Sequence, residues 1–115
     1  MIINENDKVQ ENPVELEGAK DVTVKILIGA EEGSKDIIMR YFRIMPGGHS
    51  CLHSHNYEHL VTIERGKGVV IDNDRNEEVV TTGHSLFVEP NEVHQFKNPF
   101  PEPFEFLCII PNKEP

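Results

Sequence analysis

Short runs of β-branched and aromatic residues, separated by turn-forming residues, constrain the fold of this chain most strongly. Between positions 22 and 28, Val and Ile occupy every even position, which is the period-two pattern of a half-buried strand. No long window shows a helical period with capping signals. Strands at roughly 8–12-residue spacing are typical of β-sandwiches and barrels, so the sequence predicts an all-β fold, a small antiparallel jelly-roll barrel. The predicted strands cover residues 22–28, 37–45, 53–64, 69–71, 79–81, 85–89 and 104–110.

The length of the chain bounds its organisation. With 115 residues, 37% of them hydrophobic, it can build one modest core. Residues 1–21 are polar and are expected to form an N-terminal arm with at most one short strand, whereas residues 22–115 form a single barrel domain. Because so small a core favours oligomerisation, we expect a homodimer in which the arm contacts the neighbouring subunit.

Charge and cysteine usage exclude several classes of protein. The formal net charge of −9 argues against nucleic-acid binding, which needs clustered Lys and Arg. The apolar runs are only a few residues long, so we expect no membrane span, and the first residues lack the basic and apolar regions of a secretion signal. Cys51 and Cys108 form no disulfide framework, and reduced thiols are the rule in the cytoplasm. We therefore expect a cytoplasmic protein.

Three histidines share one face of the third predicted strand. His53, His55 and His59 have the same parity, so in an extended segment their imidazoles point to one side, while Glu58 points to the other. Three imidazoles converging on a barrel interior are costly without a ligand, and a divalent metal removes that cost by coordinating their neutral nitrogens. The parity therefore favours a metal site.

A fourth candidate ligand, His94, lies in a separate segment. It follows a turn at Pro90-Asn91, where Asn91 can adopt the left-handed conformation that such a turn requires. The remaining two histidines, His49 and His84, have no matching partner position and are read as loop or surface residues.

These two segments resemble the paired motifs of the cupin family. The first cupin motif is Gly, five residues, His-x-His, three or four residues, Glu, six residues, Gly. Gly47, His53 and His55 match it, and Gly66 takes the place of the final glycine. His59 stands where the three-residue spacing places the metal-binding Glu of the family.

The second cupin motif is Gly, five residues, Pro-x-Gly, two residues, His, three residues, Asn. Gly83, His94 and Asn98 match it, while Glu89 replaces the proline and Asn91 replaces the turn glycine. Two motifs that agree in order and spacing make the resemblance specific, although together they span only about half of the chain.

Within the cupins, the chain is similar to the small homodimeric members that have a four-histidine metal site, some of them with manganese. The resemblance implies one divalent ion per chain, with Mn or Fe favoured over Zn, Ni or Cu. It implies four metal ligands, which are His53, His55, His59 and His94.

Three further residues are candidates for the wall of the site. Phe106 and Cys108 share a face of the last predicted strand that is expected to point inward, so Phe106 would line the pocket. Cys108 either lies near the metal or packs in the core. Arg40 lies between two apolar residues of one strand face and either anchors a substrate carboxylate from inside the barrel or turns to the surface.

Four neutral imidazoles leave the full +2 charge on a divalent ion, which favours an anionic ligand. A six-coordinate ion would keep two open positions for a substrate and dioxygen, whereas a tetrahedral Zn site would be closed and structural. The resemblance implies a metal-dependent oxidoreductase of dioxygenase type that acts on a small anionic or enolic substrate. The alternatives are a small-molecule-binding or sensor module without turnover, and a metal-dependent isomerase or decarboxylase.

Overall fold

A computed structural model describes residues 1–112, so the last three residues of the predicted barrel, 113–115, lie outside the described residues. Residues 1–112 form nine strands and two short 3-10 turns, Asn6–Lys8 and Ala30–Glu32. In this part of the chain, no helix has the length and apolar character needed to cross a membrane. The strands are β1 (Asn12–Pro13), β2 (Lys20–Ile28), β3 (Ile37–His49), β4 (His59–Arg65), β5 (Lys67–Ile71), β6 (Glu77–Thr81), β7 (Ser85–Val88), β8 (Gln95–Lys97) and β9 (Phe104–Pro111).

All strand pairs are antiparallel and belong to one curled sheet with the order β6-β5-β8-β3-β9-β4-β7, with β2 paired to β3 and β1 paired to β2. The long strand β3 closes the curl because it pairs with β2, with β9 and, at His49, with β8. The curl encloses one hydrophobic core, which contains Ile44, Ile63, Phe104 and Phe106. The all-β antiparallel barrel predicted from the sequence is confirmed.

Several predicted strand boundaries differ from the structure, and the largest differences are at the end of β3 and the start of β4. Strand β3 does not end before Pro46 but continues to His49, because the Gly47 N–H donates to the Asn98 carbonyl (2.7 Å) and the Asn98 N–H donates to the Gly48 carbonyl (2.9 Å). The predicted strand 53–64 is also interrupted, because the chain bends at residues 56–57 and β4 begins only at His59.

A register shift interrupts the alternation in β2. Between Ile26 and Ile28 the pairing with β3 slips, so Leu27 is buried while Ile26 is 55% exposed. A bulge of this kind reverses which residues face the core. The even-numbered positions therefore share one face only as far as Ile26, at the mouth of the barrel.

The segment before the last strand is held by Asn98, the final residue of the second cupin motif. Asn98 is 1% exposed, and its amide nitrogen donates to the carbonyls of Ile44 (2.8 Å) and Glu102 (2.7 Å). Its side-chain oxygen accepts from the Phe100 N–H. Asn98 thus ties the loop that follows β8 to β3 and directs the chain into β9.

Candidate metal centre

The centre is built around a backbone contact between two distant histidines. His53 and His94 form an isolated antiparallel bridge, in which each N–H donates to the carbonyl of the other residue at 3.2 and 2.9 Å. Their ring centroids lie 4.8 Å apart, and the ring of His55 lies 4.4 Å from that of His53. One ligand atom from each of His53, His55 and His94 lies within 4.8 Å of the others. These three histidines are close enough to hold a metal ion.

The fourth predicted ligand, His59, lies beside this group as the first residue of β4. Its ring centroid is 5.0 Å from that of His94 and 5.2 Å from that of His55. His59 does not belong to the set of three whose ligand atoms lie within 4.8 Å. Its side chain is buried, and its Nδ1 atom has no hydrogen-bond partner among the residues that the structure describes. Metal coordination by His59 therefore stays a prediction.

The turn predicted at Pro90-Asn91 positions His94. Asn91 has a left-handed φ of 67°, as the sequence predicted, and its N–H donates to the His55 carbonyl at 2.6 Å. The Val93 N–H donates to the side-chain oxygen of Asn73, in the loop between β5 and β6, at 3.0 Å. Contacts from two other loops therefore hold the segment that carries His94 against the one that carries His55.

The protonation of the histidines suits a metal ion, because only a neutral imidazole can coordinate one. Burial, followed by the nearby His94, lowers the pKa of His53 to about 4 and that of His59 to about 3. The same two causes lower the pKa of His55. The Nδ1 atom of His94 lies 2.9 Å from the Glu92 carbonyl oxygen, which can only accept a hydrogen bond, so Nδ1 carries the proton. The lone pair of Nε2 is then free to coordinate a metal ion. The orphaned Nδ1 of His59 also fits a site that takes a ligand.

The four histidines line a cavity of about 450 Å³ inside the barrel. Arg40, Phe106 and Cys108, the predicted wall residues, all line the same cavity. His49 and His84 are not among its lining residues, and the His84 Nδ1 accepts a hydrogen bond from the Thr81 N–H instead. The structure thus brings every sequence-predicted site residue together around one space.

Cys108 packs in the core and also lines the cavity, while its position relative to a metal stays a prediction. It is 3% exposed and belongs to the core cluster, yet it lines the cavity and lies 3.5 Å from the Arg40 Nη2 atom. Burial raises the pKa of the Cys108 thiol, and the nearby Arg40 opposes that shift only in part. The neutral thiol is therefore a buried neighbour of Arg40 that provides no counter-charge.

Sequence reasoning missed two parts of the cavity. Tyr57 lies between the site histidines, with its ring stacked on His59 at 5.2 Å and tilted against His55 at 4.9 Å. The N-terminal arm also contributes a wall, and the Cys51 thiol holds it by donating to the Glu17 carbonyl at 3.1 Å.

Comparison with known proteins places the chain in a family. The cupin-2 family, described as a cupin domain, matches residues 40–110. The polyketide cyclase RemF from Streptomyces resistomycificus has a similar structure, with a TM-score of 0.95 and 26% sequence identity over 100% of this chain and 82% of that chain. A cupin-2 domain protein from Rhodospirillum rubrum has a TM-score of 0.85 and 27% identity over 99% of this chain and 76% of that chain.

A curated relative, the 1-methylthio-D-xylulose 5-phosphate methylsulfurylase of Rhodospirillum rubrum, is 35% identical over 72 residues. The match covers 63% of this chain and 46% of the relative, so the chain spans less than half of that protein's length. The family match includes Arg40 and both histidine segments, whereas the arm and β2 lie outside it. The chain belongs to the cupin-2 family.

Proposed function

We propose that this cupin is a metal-dependent oxidoreductase of dioxygenase type that acts on a small anionic or enolic substrate. One divalent ion per chain, Mn or Fe, is held by His53, His55 and His94 with His59 as the fourth ligand. The observation that carries the proposal is the approach of three histidine ligand atoms to within 4.8 Å of one another beside a cavity of about 450 Å³. Cavities of this size take small organic ligands.

The charge of the cavity supports an anionic substrate. The chain as a whole carries a formal charge of −9, but among residues 1–112 Glu15 is the only carboxylate residue that lines the cavity, whereas Arg40 adds a positive charge. A divalent ion bound by neutral imidazoles would add to that charge. With the ion bound, the cavity would carry a net positive charge, opposite in sign to the charge of the whole chain.

The residues of this chain bind and orient the substrate around the ion. When bound, the ion supplies Lewis-acid activation and, if it is Mn or Fe, a route for electrons to dioxygen. Arg40 holds an anionic group at one wall, and the aromatic residues Phe42 and Phe106, stacked at 5.4 Å, exclude water from that wall. The neutral histidines keep their lone pairs available because burial disfavours their protonation.

Oxygen consumption tests the proposed reaction. Protein loaded with Mn or Fe would be mixed with 1,3-diketones, catechols and 2-hydroxy acids in an oxygen electrode, and substrate loss would be followed in parallel. We expect oxygen uptake with at least one class, lost on chelation and lost in the His53→Ala, His94→Ala variant. Metal-loaded protein that consumes no oxygen with any class contradicts the proposal.

A second candidate function, a metal-dependent reaction without oxidation, is favoured by the likeness to the polyketide cyclase RemF. Such a lyase, isomerase or decarboxylase would turn over its substrate in the absence of oxygen. Repeating the assays anaerobically separates the two, since metal-dependent turnover that persists under argon assigns the second function. A ligand that raises the melting temperature but is never consumed would instead assign a binding or sensor module.

The expected homodimer remains a proposal. A small core favours association, and several large apolar side chains are exposed, among them Leu60 and Phe87, which are partners across β4 and β7. Light scattering should give twice the mass of the chain. A mass equal to one chain over the micromolar range contradicts the dimer.

A further inference from the structure

Arg40 is a cation without a counter-ion at the cavity. Among residues 1–112, its buried Nε atom has no hydrogen-bond partner, and its Nη2 atom donates to the Cys108 sulfur at 3.5 Å. None of the salt bridges within residues 1–112 involves Arg40. Its guanidinium lies over the Phe42 ring, 4.9 Å from the centroid. Because a partly buried guanidinium normally has an anionic partner, and neither Glu15 nor any other carboxylate in residues 1–112 forms a salt bridge with Arg40, a ligand carboxylate fits this position.

The wall next to Arg40 comes from the N-terminal part of the chain and is apolar apart from Glu15. The register of β2 on β3 places Ile26 opposite Arg40 and Val24 opposite Phe42. Val14, Leu16 and Ala19 of the arm continue this lining. The wall therefore lies outside residues 40–110, the range that matches the cupin-2 family. The side chains of the histidine cluster and those of the apolar wall come from different parts of the sequence.

Two apolar residues of this wall are exposed to solvent. Leu16 is 59% exposed and Ile26 is 55% exposed, although both line the cavity. Apolar side chains left open beside a pocket are stabilised when a ligand removes them from water, at about 25 cal/mol per Å² of buried area. The wall therefore favours a ligand with an apolar body and not only an anionic head.

We infer that the cavity binds an amphiphilic carboxylate, with the carboxylate on Arg40 and the apolar body against the wall formed by the arm and β2. This inference deepens the proposed function and rests on it only in taking the cavity as the substrate site. A two-carbon acid would leave most of the cavity, about 450 Å³, without contacts. Leu16 is then a specificity-determining residue, and Arg40 is the residue that binds the anionic group.

Three probe ligands separate recognition of the carboxylate from recognition of the apolar body. Calorimetric titrations with 2-naphthoate, acetate and neutral 2-naphthamide would be made on the metal-loaded protein and on the chelated protein. We expect 2-naphthoate to bind at least tenfold more tightly than either acetate or 2-naphthamide in both forms. Equal affinities for 2-naphthoate and acetate, or no measurable binding of 2-naphthoate at millimolar concentration, overturn the inference.

Matched variants assign the parts to residues. Arg40→Gln should abolish the preference for 2-naphthoate over 2-naphthamide, while Arg43→Gln, three positions along the same strand, should keep it. Leu16→Ser should weaken 2-naphthoate at least fivefold and leave acetate unchanged, while Leu52→Ser, an exposed leucine that does not line the cavity, should change neither. Melting curves check that all four variants fold.

Retention of the preference in Arg40→Gln, or equal effects of the two leucine variants, overturns the inference. Because these readouts need no turnover, their failure is distinct from that of the proposed reaction. An inert protein that shows the expected binding pattern loses the oxidoreductase assignment and keeps this ligand class.

Discussion

Arg40 and Arg43 lie on the same strand, and each faces a residue of β9, but their surroundings are opposite. Arg43 is the register partner of Glu105, whose carboxylate accepts from the Arg43 Nε atom at 3.2 Å. Arg40 is the register partner of Cys108, a thiol that burial keeps neutral. One face of the sheet thus pairs its arginine within the protein, while the cavity face leaves its arginine for a ligand.

Other polar side chains differ in the same way, since those around Glu105 are hydrogen-bonded and two of those at the cavity have an unpaired nitrogen within residues 1–112. Glu105 also accepts hydrogen bonds from the Tyr41 hydroxyl (2.8 Å) and the Arg65 Nη1 atom (3.1 Å). The two buried side-chain nitrogens that lack a partner in residues 1–112, Arg40 Nε and His59 Nδ1, both belong to cavity-lining residues. Because unsatisfied buried polar groups destabilise a fold, their confinement to one cavity indicates a function there and a structural role for the Glu105 network.

The largest expected effect on stability comes from removing the Glu105 carboxylate, whose hydrogen bonds lie on the sheet face away from the cavity. Glu105→Ala removes the shared acceptor of three donors, and we expect the free energy of unfolding to fall by about 2 kcal/mol, less than for a fully buried pair because both arginines are partly exposed. Urea denaturation measures the change. Glu102→Ala, at an exposed glutamate of the preceding loop, is the control. A loss no greater than in the control would show that the network does not stabilise the fold.

The second expected effect is a loss of metal affinity when His59 is removed from the cavity. His59→Ala should lower metal affinity by roughly tenfold, about 1.4 kcal/mol, while saturating metal still fills the site through the other three histidines. Competition with a chelator of known affinity measures the change, with His84→Ala as the control. Unchanged affinity in His59→Ala would leave a three-histidine site and remove His59 from the ligand set.

The two arginines provide a smaller and more direct contrast. Arg43→Leu loses hydrogen bonds to Glu105 and Glu11 and should lower the free energy of unfolding by about 1 kcal/mol. Arg40→Leu removes an orphaned group, so we expect a change within about 0.5 kcal/mol or a gain in stability. Parallel urea titrations compare them. Equal destabilisation would make Arg40 a structural residue and break the comparison.

The smallest effect is a shift in tyrosine ionisation. Burial, with the hydrogen bond to Glu105 as the next cause, raises the pKa of Tyr41 to about 12. Since the folded protein holds this proton more tightly than the unfolded chain does, the contribution of Tyr41 is complete below pH 10 and is lost as the pH rises through about 12.

Absorbance at 295 nm should show this late ionisation, and Tyr41→Phe should remove it. Glu105→Gln should move it towards the pKa of 10.0 that an ordinary tyrosine has, because the charged acceptor is gone. A late ionisation that persists in Tyr41→Phe would belong to another group and contradict the assignment.

The fold was largely predictable because most of its strands are long enough to carry their own alternation. The strand β8, with three residues, was missed because its extended form depends on pairing with β5 and β3, which no local pattern reveals. The continuation of β3 through Gly47 depends in the same way on a distant partner, Asn98. Local turn residues predict an end of the strand there, but tertiary hydrogen bonds override them.

The members of the histidine cluster were predictable from their spacing, but the structure brings them together in a partly different way from the one predicted. Equal parity places His53, His55 and His59 on one side only if the strand is continuous, whereas the chain bends between His55 and His59. The cluster forms instead around the bridge between His53 and His94. The arm that covers the cavity was not predictable, because its position depends on contacts of distant residues, such as that of Cys51 with Glu17. Its predicted contact with a second subunit stays a prediction.

Elemental analysis of freshly purified protein tests the central claim, that the unsatisfied face of the barrel is a metal centre. Wild-type protein would be compared with the His53→Ala, His94→Ala variant and, as a matched control, with His49→Ala, His84→Ala. We expect about one Mn or Fe per chain in the wild type and the control, and none in the first variant. Stoichiometric Zn would contradict the oxidoreductase, and no metal even after reconstitution would contradict the metal centre itself.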